Sequence, residues 1–265
     1  MHNGGDIPAD SDIAKLRTHC SKGGMELLVC MTMYNESMEH FLNSIAGVLR
    51  GYAELLKIHK RRFEGKVAII LIADGFDKLP VDFRNAAKRY RLINDDWMED
   101  YSFEYRGERQ LKEISDLGFL QEVEEEFETM NIGHCFVRKV SFVELLRNHY
   151  IGNVSAPSWI VENLGEIDSV PEIDFIFLAK HKNAGKIESH LWFFKGFCEY
   201  FQPKLTQFID VGTLPLQNSL SRLVLHMDVH ENVGGCCGEI QVQFPERVGF
   251  WEHCIVSAQY AEYKF

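Results

Sequence analysis

Apolar residues first appear along this chain as short unbroken runs. Leu27-Leu28-Val29-Cys30-Met31, Val67-Ala68-Ile69-Ile70-Leu71-Ile72-Ala73 and Phe175-Ile176-Phe177-Leu178 each predict a strand covered on both faces, as in a parallel sheet. A fourth run, Phe208-Ile209, predicts another buried strand, and Cys135-Phe136-Val137 a short one. Between them the spacing changes to the helical period. Phe41, Leu42, Ile45, Val48, Leu49, Tyr52, Leu55 and Leu56 predict a helix after the first strand, ending in the basic run Lys60-Arg61-Arg62. Residues 81–92 predict the next helix. Ile187, Leu191, Phe194, Phe197, Cys198 and Phe201 predict an amphipathic one that Pro203 stops. Further helices are expected through Leu220, Leu223, Val224 and Met227 and over 252–265, with an alternating strand Ile240-Val242-Phe244 between them. Strand, helix, strand in this order predicts an α/β fold with right-handed crossovers.

Three stretches break the rhythm. Residues 1–22 read as a disordered, polar lead-in. Residues 94–130 are strongly acidic, with Asp95, Asp96, Glu99, Asp100 and Glu122 to Glu126, and read as an inserted, solvated helical stretch. Residues 151–171 carry Gly152, Pro157, Gly165 and Pro171 and read as a loop. The organisation expected is a lead-in over 1–22 and one domain over 23–265, with an acidic insertion around 95–170.

Charged residues sit where the apolar runs stop. Glu36 follows the first strand, Asp74-Gly75 ends the second, and Asp210-Val211-Gly212 ends a later one. Lys186 opens a helix, where backbone N–H groups also favour an anion. In an open α/β sheet, ligands bind outside the carboxyl ends of the strands. Carboxylates, a lysine and a helix start at one sheet edge suit a nucleoside diphosphate with a divalent cation. Taken alone, the Asp210 stretch reads equally well as an acid capping the next helix. No glycine-rich dinucleotide or P-loop fingerprint occurs, which argues against a dehydrogenase or an NTPase.

Composition narrows the partners. A net charge of −11 argues against nucleic acid. Seven cysteines, at 20, 30, 135, 198, 236, 237 and 254, show no zinc spacing and read mostly as small core residues; the adjacent Cys236-Cys237 pair reads as core too, with redox chemistry as its alternative. His226 and His230, four apart, read as a surface pair rather than a metal site. No run is long enough to span a membrane, and no leader is apparent before residue 22. The abrupt close at Glu262-Tyr263-Lys264-Phe265 reads as a fragment of a longer protein.

Four blocks together resemble the catalytic domain of chitin synthases, within the processive inverting glycosyltransferases of GT-A fold. They are Cys30-Met31-Thr32-Met33-Tyr34-Asn35-Glu36, Ile72-Ala73-Asp74-Gly75, Lys186-Ile187-Glu188-Ser189-His190-Leu191-Trp192-Phe193-Phe194, and Asp210-Val211-Gly212-Thr213. Gly235-Cys236-Cys237-Gly238-Glu239-Ile240 and Ala258-Gln259-Tyr260-Ala261-Glu262-Tyr263-Lys264 continue in family order, so the likeness covers about residues 25–265.

The resemblance implies a Rossmann-like, mainly parallel sheet with helices on both faces. It implies transfer of N-acetylglucosamine from UDP-N-acetylglucosamine to the 4-hydroxyl of a chitin oligomer, with inversion. Asp74 would bind the uridine, with Tyr34 and Glu36 beside the nucleotide. Lys186 would neutralise the diphosphate. Asp210, followed by the Gly212 turn, would coordinate Mg²⁺ or Mn²⁺. Leu191 stands where the family commonly has an arginine. No acid in the chain matches the family's general-base motif, so no catalytic residue is assigned here. A chain without that motif is expected to bind the donor and make no polymer. The resemblance also implies a membrane parent with this domain on its cytoplasmic side, and leaves room for a homo-oligomer. Hyaluronan- or cellulose-type synthesis, or non-catalytic binding of a sugar nucleotide, are the alternatives.

Overall fold

A computed structural model describes residues 24–93, 133–150, 158–180, 182–242 and 249–264. The chain forms two compact units, Met1–Asn218 and Ser219–Phe265. The first contains a five-stranded sheet, and it alternates strands and helices in the expected way. Strand β1 (Leu27–Met33) leads into α1 (Met38–Phe63), then β2 (Val67–Ala73), α2 (Val81–Arg89), β3 (Gly133–Val140), α3 (Phe142–Tyr150), α4 (Ser158–Ile167) and β4 (Ile173–Lys180). Helix α5 starts as Lys186–Leu191, widens into a π-helix over Trp192–Cys198 and closes with a turn at Glu199–Phe201. Strand β5 (Leu205–Asp210) completes the sheet.

The strand order is β3-β4-β2-β1-β5. β1, β2, β4 and β5 run parallel, and β3 is antiparallel to β4. The unbroken runs behave as their pattern predicts. β2 and β4 are buried at every position, and β1 at all but one, because helices cover both faces. One face packs Cys30, Ile70, Ile176 and Leu178 against Phe193, Phe197 and Phe201 of α5. On the other, Phe41 of α1 and Phe142 of α3 meet Phe175 of β4 tilted and edge to face, with ring centroids 6.3 and 5.3 Å apart.

Helix α1 begins at Ser37, whose hydroxyl accepts from the His40 N–H at 3.3 Å. It ends with Lys60, Arg61 and Arg62, where a positive charge meets the negative end of the helix. At the opposite sheet edge from the strand-end acids, Glu26 is buried. It accepts from Arg62 Nε at 2.9 Å and Lys204 Nζ at 2.5 Å, tying the start of β1 to the end of α1 and the approach to β5.

Several expectations are corrected. Among the described strands β5 pairs with β1 alone and lies at the edge, so Phe208 is partly exposed while Ile209 is buried. Residues 158–167, expected as loop, form α4 despite Gly165. The face of α5 is also shifted. Phe193, Phe197 and Phe201, four apart, are buried, while Ile187, Leu191 and Phe194 are exposed. The π-helix accounts for this, because its looser winding rotates successive side chains away from the 3.6-residue pattern. The expected strand Cys135-Phe136-Val137 extends over all of β3. That strand and α3 lie within the stretch 95–170 expected as an insertion, and β3 forms the sheet edge.

The second unit holds α6 (Ser219–Val229) and α7 (Phe250–Lys264). Between them residues 233–242 are irregular and mostly exposed, so the alternating strand expected at Ile240 and Val242 is absent. The glycines at 234, 235 and 238 disfavour a strand there. The core expectation for cysteines holds for Cys30; Cys236, Cys237 and Cys254 are free and exposed. The lead-in 1–22, the acidic stretch 94–130 and Phe244 lie outside the described residues.

Candidate functional site

The chain moves from β1 to β2 on one side, builds outward to β4 and β3, then returns to the far side of β1 as β5. The direction of winding therefore reverses between β1 and β5, and ligand crevices of open α/β sheets form at such a reversal. The register pairs Thr32 directly with Asp210 across this gap. The Thr32 hydroxyl donates to Asp210 Oδ1 at 2.6 Å. Lys186 Nζ, at the start of α5, ion-pairs with Asp210 Oδ2. Both members of that pair are about half exposed.

Partial burial by itself raises the Asp210 carboxyl. The hydrogen bonds from Lys186 and Thr32, with the charges of Lys186 and His190, outweigh it and hold the group below its usual range. Asp210 is therefore an ionised, reachable carboxylate. The turn after it is seated on α1. The Gly212 N–H donates to Ser44 Oγ at 2.9 Å, and Arg50 donates to the Pro215 carbonyl at 2.8 Å. A Cβ on Gly47 would lie 2.6 Å from Pro215 Cδ, so only glycine lets the turn approach the helix this closely. Gly212 has φ of +99°, which a side chain would strain.

Asp74 sits at the same edge, one strand beyond β1. Its backbone N–H donates to the Met33 carbonyl at 2.8 Å. From strand spacing alone, Asp74 and Asp210 lie about 10 Å apart across β1. Asp74 is buried and paired with Lys180 Nζ at 2.8 Å, and its Oδ1 also accepts from the Ala184 N–H at 3.3 Å. Gly75, at φ of +92°, lets this turn approach Asn183, which a Cβ would meet at 3.3 Å.

Glu36 turns back on its own loop and accepts from the Tyr34 N–H at 2.6 Å. The Tyr34 ring is partly exposed beside this edge. The fold thus brings Asp210 and Lys186 into direct contact and sets Asp74, Tyr34, Glu36 and Gly212 around the same strand ends. Thr32, Lys180 and Glu188 were missed as site residues. Lys180 terminates the β4 run just as Asp74 terminates the β2 run, and that was the available signal. His190 packs its ring on Phe208, with centroids 5.0 Å apart. Cys30 lies in the core and Cys198 is partly buried against it; burial pushes the Cys30 thiol far up and that of Cys198 up to about 11, which disfavours the thiolate of each.

No cluster of three or more His, Cys, Asp or Glu side chains that could enclose a metal exists among the described residues. A divalent cation held by one carboxylate, with water and phosphate oxygens completing its shell, is the usual mode for Mg²⁺, and Asp210 fits it.

The model of the chitin synthase-like glycosyltransferase domain matches residues 27–168 and 153–265. Chitin synthase 2 of Rhizopus oligosporus is 29% identical over 245 residues, 90% of this chain and 24% of its own length. Chitin synthase 2 of Mycosarcoma maydis is 26% identical over 245 residues, 90% of this chain and 19% of its own. Chitin synthase 1 of Phytophthora sojae is 37% identical over 93 residues, 35% of this chain and 10% of its own. The chain spans at most about a quarter of these relatives. With the family model covering most of its length, the chain belongs to the chitin synthase-like glycosyltransferase domain family.

Proposed function

We propose that this chain is the donor-binding part of a chitin synthase, which transfers N-acetylglucosamine from UDP-N-acetylglucosamine to a growing β-1,4-linked chain with inversion. The observation that carries this reading is the Thr32–Asp210–Lys186 cluster at the reversal between β1 and β5. Asp74 at the same edge supports it, because an acceptor there suits the donor hydrogens of a uridine.

Lys186 is paired with Asp210 here, and its amine is about half exposed. A diphosphate entering the crevice would draw it from carboxylate to phosphate, exchanging one charge-assisted contact for another. Thr32 keeps one Asp210 oxygen oriented during that exchange. A Mg²⁺ or Mn²⁺ ion on Asp210 would supply charge stabilisation for the departing UDP. The acceptor is a chitin oligomer. We place the parent protein at a membrane, with this unit on the cytoplasmic side where the nucleotide sugar is available. No helix among the described residues is long and apolar enough to cross a bilayer itself.

The test is competition against radiolabelled UDP-N-acetylglucosamine bound to the chain. UDP should displace the label, and GDP should not at equal concentration. Equal displacement by both nucleotides would remove the uridine role of Asp74.

A further inference from the structure

A charged group completely withdrawn from water is unusual unless its partners are built for it. Lys180 is such a group. Its side chain is 0% exposed at the end of β4, in the middle of the strand-end crescent. Its ammonium bridges Asp74 Oδ1 at 2.8 Å and Glu188 Oε2 at 2.5 Å. Glu188 lies in the first turn of α5, two residues after Lys186. Lys186 pairs in turn with Asp210, which holds Thr32. Two polar clusters, Asp74–Lys180–Glu188 and Lys186–Asp210–Thr32, are therefore joined through the first turn of α5.

A well-packed apolar residue of similar volume would often serve stability as well as or better than a buried ion bridge. Stability alone is thus a weak reason for a lysine at the end of β4. We propose that Lys180 is a positioning residue that fixes Asp74 and the first turn of α5 as one unit. This couples recognition of the uridine to recognition of the diphosphate. The inference rests on the donor-binding reading above, and it names how the two halves of that site are held in register. Without the bridge, the Asp74 carboxylate still accepts from the Ala184 N–H and its backbone N–H still donates to Met33, but the first turn of α5 loses the tie that holds Lys186 in register with them.

The test uses the wild-type chain, Glu188→Gln, and the double variant Lys180→Met/Glu188→Gln. The double variant removes the bridge without leaving two carboxylates facing each other. Affinities for UDP and for uridine are measured by titration, ligand-observed NMR serving for the weaker uridine, beside the melting temperature of each protein. Glu188→Gln keeps the Asp74–Lys180 pair. Its uridine affinity should stay within roughly twofold of wild type while UDP weakens at least roughly fivefold. The double variant should lose at least roughly tenfold for both ligands. A merely structural lysine would lower the melting temperature and leave both affinities within twofold in the folded protein, which overturns the proposal. If the double variant does not fold, Glu188→Gln decides, and equal UDP affinity in it and in wild type overturns the coupling. A wild-type chain that binds no UDP is a different result: it removes the donor-binding reading, and the coupling with it.

Discussion

Two carboxylates at opposite ends of the same sheet are held in nearly the same way. Glu26, at the amino end of β1, accepts from Arg62 and Lys204. Asp210, at the carboxyl end of β5, accepts from Lys186 and Thr32. In each, burial raises the carboxyl and its donors more than offset that, holding it below the usual range. The difference is access. The Glu26 side chain is 4% exposed and that of Asp210 is 52% exposed. Glu26 is sealed under its bases and joins three chain segments. Asp210 faces the reversal of the sheet with partners that a ligand can replace. A displaced carboxyl pKa is therefore no mark of a site by itself; position at the strand ends and open access make the distinction.

The sharpest way to break this contrast is to remove each acid. Asp210→Ala should weaken UDP binding in Mn²⁺ on the order of 100-fold, as loss of a metal ligand does, with a melting temperature close to wild type. Glu26→Gln should do the reverse. It should cost about 1–3 kcal/mol of stability, measured by urea unfolding, and leave UDP affinity within about twofold.

The pH dependence follows from the lowered carboxyl. A group depressed in the folded state stabilises above its unfolded pKa, and that contribution is lost as pH falls through the folded value. The stability gap between wild type and Glu26→Gln should be full above pH ~5 and close progressively in more acidic solution. A gap unchanged down to pH ~2 would show that Glu26 is not held ionised by its bases.

Gly47→Ala tests how the Asp210 turn is seated. In an ordinary helix interior this change stabilises by about 1 kcal/mol. Here the added methyl meets Pro215, so it should destabilise by about 1–3 kcal/mol and also weaken UDP binding. A stabilised variant would mean that the turn does not rest on α1 as described. The smallest effect expected is from Thr32→Val, which removes one oriented hydrogen bond and should weaken UDP about threefold to tenfold, read by titration.

Most of the parallel sheet was legible in the sequence because β1, β2 and β4 are covered on both faces, and total burial writes an unbroken apolar run. β5 was found as a strand ending at Asp210, but its burial was overestimated for the converse reason. An edge strand buries one residue and exposes the next, so Phe208-Ile209 looks apolar without being interior. The buried face of α5 was misplaced because a π-helix departs from the 3.6-residue period on which the reading depended. Asp74 and Asp210 were legible as charges where runs stop, and Lys186 as the charge that opens a helix. Their mutual geometry was not, because the Thr32–Asp210 contact joins residues 178 positions apart and exists only through strand register. Lys180 was hidden in plain view: next to His181 and Lys182 it reads as part of a solvated basic turn, and only tertiary packing withdraws it from water.

The central claim is that a sugar nucleotide's diphosphate binds at the reversal between β1 and β5 through a divalent ion on Asp210. Calorimetric titration of UDP into the wild-type chain, with Mn²⁺ and with a chelator, tests it most directly. The account predicts binding at least about tenfold tighter with the ion, and no such gain in Asp210→Ala. Equal affinity with and without Mn²⁺ in the wild-type chain would contradict it.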